Sequence, residues 1–191
     1  KLALGLIEPT SGSVRCEGAP MPAPGTDAWR VLRRRMQMVY QDPLGALDRR
    51  LPIGRQIAEP LAIHEIGAPA EREDRARAAM AAVGLQAHQY GRYPHELSGG
   101  QRQRGVIAIA MALRPRLLIA DEPTTALDVA AQAQVLALLR ELVREQGSAL
   151  LLISHDLPLV ASVADRIAVL RHGRLVEQGP ARALLQSPQQ P

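Results

Sequence analysis

Two kinds of apolar pattern alternate along this chain. Short, mostly apolar runs stand at residues 36–40, 117–120 and 149–153, the length and character of buried strands. Longer segments between them carry apolar residues at three- and four-residue spacing, the mark of a helix with one buried face. Residues 53–63 and 69–83 read as two successive helices, with Gly84 as a stop for the second. Residues 101–113 read as a third, closed by Arg114 and Pro115. In residues 130–145, Val135, Leu136, Leu138, Leu139, Leu142 and Val143 form one stripe, and Gly147 ends it. Asp27 is expected to cap a short helix running to Arg35. Residues 166–170 and 174–178 flank His172 and Gly173 as a hairpin, and residues 180–186 form a last helix opened by proline. At the other end, KLALGLI reads as the last turns of a helix, stopped by a Pro/Gly turn and followed by a short strand at residues 13–17. Strands alternating with helices point to an α/β fold with a mostly parallel sheet.

Composition narrows this only in places. With 191 residues and 47% hydrophobic content the chain can bury a sizeable core. It has no Phe and one Trp, so that core must come from Leu, Ile, Val and Ala. The net charge of +4 is carried mostly by Arg, without a dense basic patch interleaved with aromatics, and nucleic acid is not the expected partner. Arg33, Arg34 and Arg35 read as a solvated face. Cys16 is the only cysteine, which rules out an intrachain disulfide and fits a reducing compartment. The apolar stretch at residues 105–113 is too short to span a bilayer, and no signal peptide is visible. A protein like this serves a membrane, if at all, from its surface. Both ends read as interior to a longer protein.

The candidate chemistry sits in residues 97–128, LSGGQRQRGVIAIAMALRPRLLIADEPTTALD. A Ser-Gly-Gly turn opening a helix exposes backbone N–H groups to an anion and adds the partial positive charge of the helix N-terminus. The apolar strand after it ends in Asp121 and Glu122, placing two carboxylates at the carboxyl edge of a parallel sheet, where ligands of open α/β folds bind. One carboxylate can hold Mg²⁺ through water and the next can orient or deprotonate an attacking water.

This stretch resembles the ATP-binding subunit of ABC transporters. LSGGQ is similar to the signature motif, LLIADE to Walker B with its glutamate, and Ala126, Leu127 and Asp128 to the D-loop. Gln41 resembles the Q-loop glutamine and His155, in Ser154-His155-Asp156, the switch histidine. The run QMVYQDPLGALDRRLPIGRQIAEPL resembles the Q-loop region of ATPases that drive oligopeptide, dipeptide and nickel importers, and Tyr93, Pro94, His95 and Glu96 resemble the lead-in to the signature. His95 is read as a loop residue without a metal role.

The resemblance implies a P-loop NTPase-like core at residues 1–42 and 98–191, with an inserted helical subdomain at 43–97. The whole of 1–191 is then one partial ATPase domain, truncated at its N-terminus. It implies ATP and Mg²⁺ as ligands. Glu122, His155 and Gln41 are the expected catalytic residues, Asp121 and Gln41 the expected metal contacts, and Ser98, Gly99, Gly100, Gln101 and Asp128 the expected nucleotide-binding and cross-dimer residues. It further implies a second ATPase subunit, separate permease subunits, and a peripheral position at the cytoplasmic face of the membrane. The alternatives are an ATPase-dead interaction fragment and a non-transport ABC ATPase.

Two departures accompany it. No G-x-x-x-x-G-K-[ST] occurs in residues 1–191, and Lys1 is not assigned as a phosphate-binding lysine. The expected activity is therefore that of the full-length protein, and these residues alone are expected to be inactive. Where the family carries Arg in an I-A-R-A-L run, this chain has IAIAMAL, with Ile109 or Met111 at that place.

Overall fold

The computed structural model describes residues 2–125 and 127–186. Lys1, Ala126 and residues 187–191, which include a D-loop residue and the C-terminal SPQQP, lie outside the described residues. The framework is a three-stranded parallel sheet in the order β3–β4–β5, made of β3 (Met36–Val39), β4 (Leu117–Asp121) and β5 (Ala149–Ile153). Val39 lies opposite Ala120, and Asp121 opposite Ile153. All three strands therefore end at one edge, each followed by residues singled out from the sequence.

Before the sheet come a small antiparallel ribbon, β1 (Arg15–Cys16) and β2 (Ala19–Pro20), and helix α1 (Asp27–Arg35), which runs straight into β3. After β3 the described residues form no strand until β4. They form α2 (Pro43–Ala46), α3 (Ile53–Ile63), α4 (Pro69–Ala82), two 3-10 turns and α5 (Gly99–Met111). Helix α6 (Val129–Gln146) joins β4 to β5. The chain then makes α7 (Leu157–Val163), the antiparallel ribbon β6 (Arg166–Arg171) and β7 (Arg174–Pro180), and α8 (Ala181–Gln186). His172 and Gly173 both have positive φ, at 50° and 74°, the twist that a two-residue hairpin turn requires.

One apolar core joins the sheet to the helical segment, and α5 is its hinge pin. Val106, Ile107, Ala108, Ala110 and Met111 of α5 are buried among Val39 and Leu118 of the sheet, Ile53 and Ile57 of α3, Met80 of α4 and Leu139 of α6. Fully burying one such side chain contributes roughly 1.5–3 kcal/mol. Ile109 and Met111 pack here too, so apolar contact occupies the place where the family pattern has Arg. Close packing also explains Gly54. A Cβ there would run into the Tyr90 ring, which lies beneath the Arg77 guanidinium at 4.1 Å from its centroid. Gly147 ends α6 in the left-handed conformation, φ 65°, which costs glycine no steric clash.

Several local expectations are corrected. The buried strand expected at 149–153 alternates instead. Leu150 and Leu152 pack against the core, while Leu151 and Ile153 are exposed, at 43% and 45%. Among the described residues β5 pairs on one side only, and its outer face has no layer over it. The N-cap of α1 is Thr26, whose hydroxyl accepts from Trp29 N at 3.2 Å, and Asp27 stands in the first turn. Residues 2–7 form one 3-10 turn, Leu2–Leu4, and Leu6 and Ile7 are exposed. The strand expected at 13–17 shrinks to Arg15–Cys16. Pro180 closes β7 opposite Arg166, so α8 begins one residue later. Arg33 is half-buried beside Trp29, and Arg35 pairs with Glu17 at 3.5 Å. That face is partly packed.

Candidate active site

The three strand ends bring Gln41, Asp121, Glu122 and His155 to one edge. Gln41 lies two residues past β3, exposed. Asp121 closes β4 and is half-buried, its carboxylate without a hydrogen-bond partner among the described residues. Glu122 follows with φ 48°, a left-handed conformation that costs a non-glycine residue about 1 kcal/mol or more. Its N–H donates to Ile153 O at 2.9 Å, which ties the turn after β4 to the end of β5.

That tie sets up the central contact. Glu122 Oε1 lies 2.6 Å from His155 Nδ1, and the hydroxyl of Thr125 donates to Oε2 at 2.6 Å. Hydrogen bonding from Thr125, then from His155, holds the Glu122 carboxyl below its ordinary range. The same carboxylate raises the imidazole of His155. Opposite charges at this distance favour both ionised forms. The imidazole is largely in solvent, with 75% of the side chain exposed against 21% for Glu122. With Nδ1 turned to Glu122, Nε2 faces away from that contact and is available as a donor.

These side chains line a cavity of about 70 Å³, together with Thr124, Gln132, Ser154 and Asp156. Thr124 is buried, and Gln132 Nε2 donates to Thr124 O at 3.2 Å and Leu127 O at 3.1 Å, bracing the turn. Asp156 caps α7 by accepting from Leu159 N at 2.9 Å, and Ser154 Oγ accepts from Asp156 N at 3.1 Å. The polar cluster after β5 is thus both a helix cap and the mount for His155. Sequence reading missed Thr125, Thr124 and Gln132. For Thr125 the available signal was a hydroxyl three residues beyond a carboxylate in a turn.

The other candidate residues stand apart from this cluster. Ser98 caps α5 with a reciprocal box: its Oγ accepts from Gln101 N at 3.3 Å, and Gln101 Oε1 accepts from Ser98 N at 2.9 Å. Gly99 and Gly100 open the helix into space, where an added Cβ would meet nothing within 4 Å. No hydrogen bond joins this turn to Glu122 or His155 among the described residues. Asp128 caps α6, its Oδ1 accepting from Ala131 N at 2.8 Å. A wider, open cleft of about 630 Å³ lies at Arg49, His88, Arg92, Tyr93, His95 and Glu96. It holds none of the candidate residues, and His95 there stacks on Tyr93.

The donor set fits a hard cation held with phosphate. Asp121 offers uncommitted oxygens. No cluster of three or more His, Cys, Asp or Glu that could hold a metal occurs among the described residues. A cation here would complete its shell with water and phosphate, as Mg²⁺ does and a caged metal does not.

Comparison with known proteins shows the family and the fold. Residues 1–125 match the family described as ABC transporter. The chain is 47% identical over 190 residues to the di/tripeptide transport ATP-binding protein DppF of Pseudomonas aeruginosa, covering 99% of this chain and 59% of that protein. It is 45% identical over 190 residues to the peptidoglycan transport ATP-binding protein YejF of Agrobacterium fabrum, covering 99% and 35%. The chain therefore spans less than two thirds of the length of these relatives. Among solved structures it resembles a dimeric post-hydrolysis state of the ATP-binding cassette MJ0796 bound to ADP and Pi, with a TM-score of 0.81, 29% identity, and coverage of 94% and 77%. The parallel sheet with its packed helices is the α/β fold of these ATP-binding cassettes. The chain belongs to the ABC transporter family.

Proposed function

We propose that this chain is the hydrolytic part of an ATP-binding subunit that drives import of peptides. The observation that carries the reading is the contact of Glu122 with His155 at 2.6 Å, next to the uncommitted Asp121 at the end of β4. The peptide class is supported by the name of the Pseudomonas relative, a di/tripeptide transport protein.

Each residue has a role that follows from its environment. Asp121 would hold Mg²⁺ through water, with Gln41 reaching in from the neighbouring strand end. Bound Mg²⁺ neutralises charge on the phosphates of ATP. Glu122 is held ionised and is a weak proton acceptor for a carboxylate. It therefore acts first by orienting the attacking water, and accepts the proton late in the step. His155, whose imidazole Glu122 pushes toward its cationic form, presents Nε2–H to the γ-phosphate. Ser98, Gly99, Gly100 and Gln101 close on the nucleotide of a second ATPase subunit, a reading favoured by the exposure of Ser98 and Gly99 and by the dimeric cassette bound to ADP and Pi. Asp128, with one oxygen engaged in its helix cap, offers the other across that dimer.

Residues 43–97 serve as the helical subdomain that passes motion to separate permease subunits, inserted between core segments 1–42 and 98–191. Among the described residues no helix is long and apolar enough to cross a membrane. In this reading the subunit is peripheral, at the cytoplasmic face of the inner or plasma membrane. The test is Glu122→Gln in the full-length protein. Turnover falls by about 10²-fold or more while ATP binding is retained; near-normal turnover ends the reading.

A further inference from the structure

We propose that Thr125 is a positioning residue for Glu122, its hydroxyl setting the direction in which the carboxylate faces during ATP hydrolysis. The inference rests on Glu122 acting in that reaction. A glutamate does not orient its own carboxylate, because its last torsion has a broad, roughly two-fold profile. In this structure the carboxylate is fixed from two sides. His155, from the loop after β5, holds Oε1 at 2.6 Å, and Thr125, from the turn after β4, holds Oε2 at 2.6 Å. With either anchor alone the group can pivot about the remaining hydrogen bond.

Three further observations place the effect in the hydroxyl rather than in packing. Thr125 is exposed, so its methyl group supports no core. The turn has backbone closure of its own, since Thr125 N donates to Glu122 O at 3.4 Å and Glu122 N to Ile153 O at 2.9 Å. The hydroxyl lies nearer the carboxylate, at 2.6 Å, than the Glu122 carbonyl, at 3.2 Å. Its one proton therefore goes mainly to the side chain. Thr125 also lines the cavity shared by Glu122, His155 and Gln132, where a misdirected carboxylate would misplace any water it holds. Small errors of placement have large kinetic consequences in such sites.

The experiment is steady-state ATP turnover of the full-length protein as wild type, Thr125→Val, Thr125→Ser and Glu122→Gln. Valine keeps the shape and removes the donor; serine keeps the donor. The expected result is a kcat about tenfold lower in Thr125→Val with the KM for ATP within about twofold, and a Thr125→Ser kcat within about threefold of wild type. Loss only in kcat marks an interaction that matters after binding. Several results overturn the inference. A wild-type kcat in Thr125→Val with an inactive Glu122→Gln removes Thr125 and leaves the role of Glu122 standing. A raised KM with kcat preserved makes the hydroxyl a nucleotide contact. A serine variant as slow as valine assigns the effect to the methyl group. An active Glu122→Gln removes both the inference and the reading beneath it.

Discussion

At the carboxyl edge of the sheet, Glu122 has both oxygens engaged by side chains of this chain, one by Thr125 and one by His155. At the glycine turn that opens α5, Ser98 and Gln101 satisfy only each other, and Gly99 and Gly100 face open space. Both regions suit phosphate, but for different reasons. The pair there is built from two strand ends whose residues meet through tertiary structure, and the charges of Glu122 and His155 are set against each other. The turn is built from one local segment and meets nothing. A site of the first kind orients a reacting group; a site of the second kind waits for a ligand or partner to supply the other half. Helix α5 links them, carrying the turn at its start and packing against the sheet along its length.

That link gives the largest expected effect. Ile107 is fully buried at the middle of α5. Ile107→Ala in the full-length protein should cost roughly 2–5 kcal/mol in a denaturant titration. It would disturb both regions together; unchanged stability would mean that α5 is not the common support. Next is His155→Ala. It should lower ATP turnover by about 10²-fold while shifting thermal unfolding only slightly, because the imidazole is solvated. A large drop in melting temperature would recast the pair as structural.

Ser98→Ala should cost about 1 kcal/mol of stability through loss of the cap and should leave the titration of His155 unmoved. Movement of that titration would show that the two regions communicate within one chain. The smallest effect is the titration itself. Followed by NMR, His155 should titrate above its ordinary 6.5 in the wild type and return toward that value in Glu122→Gln. The sign follows from linkage. The raised histidine contributes stability below its ordinary pKa, lost as pH rises through the folded value. The lowered glutamate contributes above its ordinary 4.5, lost as pH falls through its folded value. The pair therefore contributes most between these two ordinary values, and a His155 titration at or below 6.5 would contradict the contact.

Long periodic segments were legible without coordinates. The bounds of α3 coincide with the apolar spacing from Ile53 to Ile63, α4 and α6 differ from it by a residue at one or both ends, and α5 starts two residues earlier than expected. These helices bury a stripe that repeats locally, and local repetition is what a sequence displays. The burial of β5 was not legible. LLLI reads as a strand inside a layered sheet, yet one face is exposed, because burial depends on what lies beside a strand. The N-cap of α1 was misplaced by one residue because Thr26 and Asp27 are both good caps, and backbone direction chooses between them.

By itself the sequence determined the order of strands and helices, the glycine turn, and the carboxylates and histidine at strand ends. Each of these is encoded by neighbours a few residues apart. Only the tertiary structure decided which of those groups meet. Glu122 and His155 are 33 positions apart, and parallel pairing of β4 with β5 sets their ends side by side. The left-handed turn at Glu122 then aims the carboxylate at both His155 and Thr125. A hydrogen bond depends on distance and angle to a fraction of an ångström, and that precision comes from strand register and core packing, which no local pattern contains.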